Sequence, residues 1–371
     1  MTIKHQDSFR LLILNSGSTS MKIAIYENEK ERFMKTAEYT PEELDRCGSL
    51  NGQFDLRLKS VLDGVAEAGR SLSDFSAIVS RGGSTGPMKH CGAYRINEAM
   101  ARELRDYPRS SHAGNLGPMI AYELCVRQGI AGYIYDSVAV DQLREAARIS
   151  GLSDIPRVSL VHALNSRYAA KEVARRLGRS YEDLNLIAAH IGGGITLTLH
   201  SGGRIIDVVG DDEGPFSPER SGGIPTRQLV DLCYSGKYPS KEDMHKAMRG
   251  HGGLMSYLGT TDAREVERRI TGGDEKAKLI YDAMFYQIAK GIGQLSTPVC
   301  GRLDGIILTG GIAHSEYAMN ELIRQVGFLA PVHILPGENE MRALCQGVLE
   351  VLRGREAAHE YESCGKEEAQ G

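Results

Sequence analysis

Short apolar runs alternate with stretches of helical periodicity along the chain, which predicts an α/β fold. A strand, Arg10–Asn15, ends in a turn rich in serine and glycine, and a second strand begins at Met21. Further strands and amphipathic helices follow in the first half. The predicted elements are strands Phe33–Tyr39, Phe75–Ser80 and Gly132–Asp136 and helices Gln53–Gly69, Asn97–Asp106 and Asn115–Gln128.

The second half repeats this order after a long predicted helix, Leu160–Leu177. It again begins with a strand, a glycine turn and two more strands. The predicted strands are Asn185–His190, Ile195–His200, Arg204–Val209, Leu303–Thr309 and Val332–Leu335, and the predicted helices lie within Pro225–Pro298 and at Ser315–Val326 and Met341–Arg353. The residues themselves barely match between the halves, so the pattern indicates a structural duplication.

Two domains are therefore expected, over 1–150 and 151–340. The helix 341–353 is expected to pack back on the first domain, and the charged tail, 355–371, to fray. A chain of 371 residues is long enough for two domains at ~100–200 residues each.

The charge balance argues against a nucleic-acid partner. Lys and Arg total 44 against 48 Asp and Glu, for a formal charge of -4, whereas phosphate-neutralising proteins usually carry a basic excess. Glycine makes up 43 residues, which indicates backbone in unusual conformations or close to a ligand. Seven scattered cysteines form no CxxC pair and are typical of a reducing compartment. With a polar start and no apolar run near ~18 residues, the sequence predicts a cytoplasmic protein without a membrane partner.

Three glycine or serine turns follow predicted strands, at Asn15–Ser20, His190–Gly194 and Thr309–Gly311. Such turns can aim successive backbone N–H groups at phosphate oxygens, although any one of them is more often a plain tight turn. The sequence has no GxxxxGK[ST] motif and no GxGxxG after a strand. Bound phosphates would therefore be held by hairpins and not by a P-loop.

Several polar residues lie at the ends of predicted strands or in long loops. Arg81 and Arg220 are either anion clamps or arginines of surface and structural ion pairs. Asp136 ends an apolar strand, where active-site groups often project. His112 and His162, like His190, are either functional or hydrogen-bonded core histidines.

Together these segments resemble the acetate and butyrate kinase family, of the sugar kinase, Hsp70 and actin superfamily, and especially its butyrate branch. The resemblance extends from about Leu11 to Arg353. It is carried by LILNSGSTSMKIAIY, SRGGSTGP, SHAGNLGP, IYDSVAVD, VHALNSRYAA, AHIGGGIT, EGPFSPERSGG, YLGTTDAREV, IILTGGIAHSE and LPGENEMRAL, in that order.

The resemblance implies duplicated actin-like (ribonuclease H-like) α/β domains with a nucleotide cleft between them and most of the nucleotide site in the second. It implies phosphoryl transfer between ATP and a short-chain fatty acid, giving ADP and an acyl phosphate, with Mg²⁺. It also implies a homo-oligomer, at least a dimer. Two other functions stay open: a branched-chain fatty acid kinase, and an actin- or Hsp70-like ATP-binding module.

The resemblance also implies site residues, position by position. The implied catalytic residues are Asp136, Arg81, Arg220 and His162. The implied substrate-binding residues are Arg81, Arg220 and His112. The implied nucleotide-binding residues are Asn15, Ser18, Ser20, Lys22, His190, Gly192, Gly193, Gly194, Asp262, Arg264, Gly310, Gly311 and Ile312. The implied magnesium-binding residues are Asn15 and Glu340.

The chain departs from the butyrate branch at two positions near these residues. Ser137 follows Asp136 where the branch usually has proline, and Gly114 stands near His112 where it usually has serine. Loss of the proline is expected to soften the turn after Asp136. Both departures leave the preferred acid open.

Overall fold

The computed structural model describes residues 8–363. The chain divides into two compact units, the first made of Met1–Asp141 with Asn339–Gly371 and the second of Gln142–Glu338. The division falls at Asp141, before the domain limit suggested by the sequence, and the chain returns to the first unit at Asn339.

The first unit contains six strands and five helices among its described residues. They are β1 (Arg10–Ser16), β2 (Ser20–Glu27), β3 (Lys30–Glu38), α1 (Pro41–Arg46), α2 (Phe54–Glu67), β4 (Ala77–Ser80), β5 (Ala93–Arg95), α3 (Glu98–Asp106), α4 (Leu116–Gln128), β6 (Ala131–Tyr135) and, last in the chain, α13 (Glu340–Leu352).

These strands form one mixed sheet in the order β3-β2-β1-β4-β6-β5. Strands β1 to β3 are antiparallel neighbours, while β4 is parallel to both β1 and β6. Residues Leu11–Leu14 of β1 are fully buried, as expected for a central strand with both faces covered. Helices α4 and α13 both pack on β1, β4 and β6.

The second unit contains five strands, and helices fill most of the rest. Its elements are α5 (Glu145–Arg148), α6 (Ala163–Leu177), β7 (Leu186–Ile191), β8 (Ile195–Ser201), β9 (Arg204–Val209), α7 (Thr226–Cys233), α8 (Lys241–Met248), α9 (Gly253–Leu258), α10 (Ala263–Thr271), α11 (Glu275–Ser296), β10 (Gly305–Gly310), α12 (Glu316–Val326) and β11 (Val332–Pro336).

The second sheet runs in the order β11-β10-β7-β8-β9 and is covered on both faces. Because side chains alternate along a strand, neighbouring residues of β7 enter different cores. Ile187 and Ala189 join the core around α11 and α12, whereas Leu186 and Ala188 pack with residues of α6. The unit is therefore a three-layer α/β/α structure.

The predicted duplication is confirmed by the order of the strands. In each sheet the first strand of the unit is central, the second and third extend from it as antiparallel neighbours, and the fourth lies parallel on its other side. The first unit adds one short antiparallel strand, β5, at the far edge.

Some elements differ from the sequence prediction. Helix α6 begins at Ala163 and not at 160, because His162, with φ -74 and ψ 61, is not helical and the Ala163 N–H closes a tight turn by donating to the Val161 carbonyl. The turn at Gly310 is not a hairpin, because β10 and β11 are parallel and a 3₁₀ turn leads into α12.

The tail is ordered by contacts over 355–363, so the prediction that it frays is wrong there. His359 exchanges main-chain hydrogen bonds with β5, accepting from Arg95 and donating to Ala93. Tyr361 is buried, and its carbonyl accepts a hydrogen bond from Asn97 Nδ2 at 2.8 Å. Residues 364–371 lie outside the described residues.

In the part of the chain that the structure describes, no helix combines the length and the apolar character needed to cross a membrane.

Candidate functional site

Predicted site residues of the first unit lie at one edge of its sheet. Asn15 is near the end of β1, Arg81 directly follows β4 and Asp136 directly follows β6. Since these three strands are parallel neighbours, their carboxyl ends meet at the same edge. In open α/β sheets this edge is where ligands usually bind.

Glu340 joins two of the predicted residues. It is the first residue of α13, and its carboxylate accepts a hydrogen bond from Asn15 Nδ2 at 2.6 Å. The same carboxylate forms an ion pair with Arg81, with Nη1 at 3.2 Å from Oε1. The Glu340 side chain is 11% exposed, so water screens this pair only weakly. The sequence places Glu340 far from both partners, and only the fold brings it to them.

Asp136 is held in a left-handed backbone conformation, with φ 44. Aspartate is one of the few non-glycine residues that adopt this region without severe strain. Its Oδ1 accepts a hydrogen bond from Gly92 N at 2.7 Å, and its own N–H donates to Gly92 O at 3.0 Å. These paired contacts with the main chain fix a buried carboxylate directly beyond the strand.

Ser137 forms an ordered turn after Asp136. Its Oγ accepts a hydrogen bond from Ala139 N at 3.2 Å and lies 3.5 Å from Gly83 O. A Cβ added at Gly82 would lie 2.5 Å from Ser137 Oγ, so the two segments touch. The serine hydroxyl therefore supplies local bonds at the position where the butyrate branch usually has proline.

His112 is exposed, and its Nδ1 accepts a hydrogen bond from Gly114 N at 2.9 Å. A Cβ added at Gly114 would lie 2.9 Å from the same nitrogen, closer than real Cβ atoms come. Gly114 therefore permits the observed rotamer of His112, and any larger residue there would move the imidazole.

The hairpin between β1 and β2 carries four of the predicted nucleotide residues. Lys22 is paired with Asn15 across the two strands, so both side chains lie on one face of the sheet. Ser18 lies at the exposed tip of the turn and Ser20 begins β2. Arg57 of α2, which the sequence analysis missed, hydrogen-bonds to this turn from beneath and is completely buried.

In the second unit, His162 and His190 are stacked. Their ring centroids are 3.9 Å apart and the ring planes differ by 12°. Thr196 Oγ1 lies 2.9 Å from His162 Nδ1, and Asn165 Oδ1 lies 3.0 Å from His190 Nδ1. Asn165 also donates to the carbonyl of Gly337. These neighbours fix the orientation of both rings at the carboxyl end of β7.

Arg220 lies against the glycine turn after β7. A Cβ added at Gly194 would be 2.5 Å from Arg220 Nη1, so only glycine lets the guanidinium approach this closely. Asp211 forms ion pairs with Arg220 and, at 2.9 Å, with Arg249. Ser217 Oγ, in the same loop, donates to Gly193 O at 2.6 Å and so joins the loop to the turn.

The acidic residues beside Arg220 include one with a shifted pKa. Burial raises the pKa of Asp212 above its usual value, and the neighbouring charge of Asp211 raises it further. The sequence analysis missed Asp211, although the run 211–213 is acidic and directly precedes the loop that carries Arg220.

Gly310 is required by a close approach of two strands. Its φ is 92, and a Cβ there would lie 2.5 Å from the carbonyl oxygen of Ile191. A Cβ at the next residue, Gly311, would meet nothing within 4 Å. Ile312 is buried in the core around α11.

Asp262 and Arg264 form an exposed ion pair with each other at the start of α10. Asp262 Oδ1 accepts from Arg264 Nε at 3.0 Å and also from its main-chain N–H, which caps the helix. The hydrogen bond from Arg264 lowers the pKa of Asp262.

The fold thus groups the predicted residues in each unit. In the first unit it brings together Asn15, Arg81 and Glu340, and in the second it brings His162 to His190 and Arg220 to Gly194. Asn165, Thr196, Asp211 and Arg57 were not predicted. Asn165 lies in the same VHALN segment as His162, which was the available signal.

Asn15 and Glu340 are the predicted metal ligands, and they offer an amide oxygen and a carboxylate. Among the described residues, no cluster of three or more His, Cys, Asp or Glu side chains could hold a metal ion. One or two oxygen ligands suit Mg²⁺, which keeps several waters and shares phosphate oxygens. The two residues, which are in contact at 2.6 Å, therefore fit magnesium and not a thiolate- or imidazole-bound metal.

Comparison with solved structures defines the class of fold. The chain superposes on an acetate kinase from Porphyromonas gingivalis with a TM-score of 0.75 at 18% identity, covering 92% of this chain and 99% of that one. An acetate kinase from Entamoeba histolytica gives a TM-score of 0.71 at 16% identity, covering 91% of this chain and 98% of that one. The duplicated α/β fold is therefore that of the acetate kinases.

Sequence comparison identifies the family within this class of fold. The sequence model of the acetokinase family matches residues 157–341. Butyrate kinase 1 of Clostridium acetobutylicum is 47% identical over 355 residues, which is 95% of this chain and 99% of that protein. The probable butyrate kinase 2 of Caldanaerobacter subterraneus is 45% identical over 354 residues, with the same coverage. The chain belongs to the acetokinase family, whose members use ATP and ADP.

Proposed function

We propose that this enzyme transfers a phosphoryl group reversibly between ATP and butyrate, forming butyryl phosphate and ADP. The observation that carries the proposal is the 47% identity to a butyrate kinase over nearly the whole of both chains. The groups of arginine, histidine and carboxylate side chains at the sheet edges fit that chemistry. We also propose a cytoplasmic homo-oligomer, since family resemblance favours an assembly of at least two copies.

The proposed reaction is a direct displacement. A carboxylate oxygen of butyrate attacks the γ-phosphorus of ATP, a new O–P bond forms, and the bond to the bridging oxygen of ADP breaks. A carboxylate is already ionised at neutral pH, so no general base is needed. The enzyme must hold two anions in line and stabilise a loose, metaphosphate-like transition state.

Arg81 and Arg220 are proposed to bind the anionic oxygens. A guanidinium presents a planar fork that matches carboxylate and phosphate oxygens. Each arginine has a carboxylate partner, Glu340 or Asp211, that restrains it before the anion binds. We propose that a ligand anion competes with these carboxylates for the two arginines. We also propose that His112 contacts the substrate.

His162 is proposed to stabilise the transition state through a hydrogen bond from Nε2 to an equatorial phosphoryl oxygen. Its Nδ1 is hydrogen-bonded to Thr196, and its ring is stacked on His190. A ring already held in place costs little further ordering when the transition state forms. Asp136 is proposed to position an arginine or a metal-bound water and not to act as a nucleophile.

Asn15 and Glu340 are proposed to hold Mg²⁺. When bound, the ion neutralises charge on the β- and γ-phosphates. Asn15 and Glu340 would supply oxygen ligands for it, and Arg81 orients the Glu340 carboxylate before an anion binds.

Residues of all three glycine- or serine-rich turns are proposed to contact the nucleotide. We assign the phosphates to Ser18, Ser20, Lys22 and the His190–Gly194 turn, which contains Gly192 and Gly193. We assign the adenosine to Asp262, Arg264, Gly310, Gly311 and Ile312. The fixed turn at Gly310 and the capped start of α10 support this assignment, because both present rigid backbone.

The experiment is a panel of acids with hydroxylamine to trap the acyl phosphate. Purified protein, ATP and Mg²⁺ are incubated with acetate, propionate, butyrate, isobutyrate, valerate and isovalerate, and kcat/KM is compared. One methylene in an apolar pocket is worth about 1–3 kcal/mol, so butyrate is expected to exceed propionate by about 10-fold or more. A maximum at the branched acids would keep the chemistry and change the substrate. No trapped product with any acid would overturn the proposal.

A further inference from the structure

Arg57 is a completely buried cation in the first unit. It lies in α2 on the face that also carries Leu58, Val61 and Val65, which are buried core residues. At this spacing the helical period calls for an apolar side chain. Burying a charged guanidinium at such a position costs desolvation free energy, so this residue type is unexpected there.

The guanidinium contacts the turn between β1 and β2 through four hydrogen bonds. Nη1 donates to Ser16 Oγ at 3.0 Å and to the carbonyls of Gly17 and Ser20, both at 2.9 Å. Nη2 donates to the carbonyl of Ser18 at 2.9 Å. One side chain thus binds almost the whole turn.

The remaining donors are also occupied. Nε and Nη2 both donate to Gln53 Oε1, at 3.1 and 2.9 Å, and the guanidinium lies 4.8 Å from the ring centroid of Tyr39. Gln53 is one helical turn before Arg57 and fixes the direction of its fork. The guanidinium is therefore held rigidly against the turn.

No carboxylate of the described residues pairs with this charge. None of the ion pairs between residues 8–363 involves Arg57, and its hydrogen-bond acceptors are neutral oxygens. Burial lowers the pKa of Arg57, yet a guanidinium stays protonated at neutral pH. Within the described residues the positive charge is compensated by the dipoles of the turn and of Gln53 and by the ring of Tyr39, and not by an anion.

The turn presents carbonyl groups to Arg57 on one side and main-chain N–H groups to solvent on the other. The carbonyls of Gly17, Ser18 and Ser20 point inward to the guanidinium. Ser18 and Thr19 are exposed, and their main-chain N–H groups have no acceptor within the described part of the chain. Successive N–H groups exposed in this way can form an anion-binding concavity, and a cation behind it that no carboxylate neutralises would strengthen the binding.

We propose that Arg57 is a positioning residue that holds the Ser16–Ser20 turn open for the phosphates of a nucleotide and supplies positive charge behind it. This inference rests on the proposed function, which assigns that turn to the nucleotide. Arg57 itself does not touch the ligand. It acts through the carbonyls that it binds and through its unneutralised charge.

The test compares nucleotides that differ in phosphate number. Calorimetric titration with AMP and with ATP gives the ratio of their Kd values for wild type and for Arg57→Lys, which keeps a charge and loses the fork. Loss of charge-assisted hydrogen bonds is expected to weaken ATP binding about 10- to 100-fold. Binding of AMP is expected to change less than about 3-fold, because its adenosine is proposed to bind residues of the second unit.

A second readout needs no ligand. Hydrogen exchange of the ligand-free protein is expected to rise in peptides covering Ser16–Ser20 when Arg57 is replaced by Lys, with the other strands unchanged. Gln53→Met is a milder variant, which keeps Arg57 and removes the hydrogen bonds that fix the direction of its guanidinium. It is expected to weaken ATP binding and to raise hydrogen exchange in the turn, as Arg57→Lys does. Lys59→Met is the matched control, since Lys59 is exposed on the same helix.

The outcomes separate the inference from the proposed function. Unchanged Kd values for ATP in folded Arg57→Lys and Gln53→Met proteins would overturn the inference, as would equal losses for AMP and ATP. Wild-type protein that binds no ATP would overturn the proposed function instead. In that case, faster exchange confined to Ser16–Ser20 would still support the effect of Arg57 on the turn.

Discussion

At the scale of single residues, the candidate site depends on side chains whose partners fix their direction. Arg81 is paired with Glu340, Arg220 with Asp211, and Asp136 with the main chain of Gly92. The pairs of Arg81 and of Asp136 join segments that are distant in sequence, whereas Asp211 precedes Arg220 by nine residues. A change in one partner is therefore expected to alter the direction of the other as well as to remove a charge.

Arg81→Lys is expected to lower kcat/KM for butyrate by about 10²–10³-fold, because lysine keeps the charge and loses the planar fork. The measurement is initial-rate kinetics with butyrate as the varied substrate. Arg127→Lys is the control, because Arg127 forms an exposed ion pair with Glu123 on α4. A variant with more than half of wild-type kcat/KM would contradict the assignment of Arg81.

Asp136→Asn is expected to fold and to lose most of its activity. Asparagine tolerates the left-handed backbone that Asp136 adopts, and its side-chain oxygen can still accept from Gly92 N. What it lacks is the negative charge. Thermal unfolding and kcat are measured together, and retention of full activity would rule out the proposed role.

At the scale of strands and turns, close approaches explain several glycines that sequence alone marks only as unusual. Gly310 must be glycine because its φ is 92 and the backbone of Ile191 lies where a Cβ would be. The neighbouring Gly311 has no such constraint. The pair therefore offers a matched comparison within one turn.

Gly310→Ala is expected to lower the free energy of unfolding by about 3 kcal/mol or more, because both backbone strain and a steric clash oppose it. Gly311→Ala is expected to change it by less than about 1 kcal/mol. Urea denaturation followed by circular dichroism measures both. Similar stabilities of the two variants would show that β7 and β10 approach each other less closely than described.

A buried histidine in β8 predicts a pH dependence of stability. Burial, and to a lesser extent the charge of Arg167, lowers the pKa of His200 to about 3 from its usual 6.5. The unfolded chain therefore binds a proton below pH 6.5 that the native chain excludes. Stability from this group is complete above pH 6.5 and is lost as the pH falls toward 3, by about 1.4 kcal/mol per pH unit.

The check is urea denaturation of wild type and His200→Gln at pH 7, 6 and 5. Gln can keep hydrogen bonds to Tyr181 and Thr198, the two partners of His200, but it does not titrate. The variant is expected to show the shallower decline. His245→Gln, which changes an exposed histidine, serves as control. Parallel curves for wild type and His200→Gln would refute the assignment.

Most strands and long helices could be predicted from the sequence because their apolar periods extend over many residues. The short elements β5, α1 and α5 could not, since three to six residues give too little pattern. The start of α6 was placed too early because Val161 continues the apolar period although it lies in a turn before the helix. Arg57 was missed because a charged residue on an apolar face reads as an interruption of the helix pattern.

At the scale of the whole molecule, the same strand arrangement occurs in both units, and the C-terminal part of the chain belongs to the first unit again. The two sheets share the order of their first four strands, although the sequences of the halves barely match. Helix α13 returns to the first sheet and brings Glu340 to Asn15 and Arg81. Family motifs predicted these three residues as site residues, but no local pattern could predict their contact.

The central step of the proposed reaction is direct attack of the substrate carboxylate on the γ-phosphorus of ATP. The most direct measurement is ³¹P NMR of a reaction containing ATP, Mg²⁺ and butyrate labelled with oxygen-18 in its carboxyl group. We predict butyryl phosphate whose phosphorus carries one labelled oxygen, formed in the same amount as ADP. The formation of ADP with unlabelled inorganic phosphate, and of no acyl phosphate, would contradict the account.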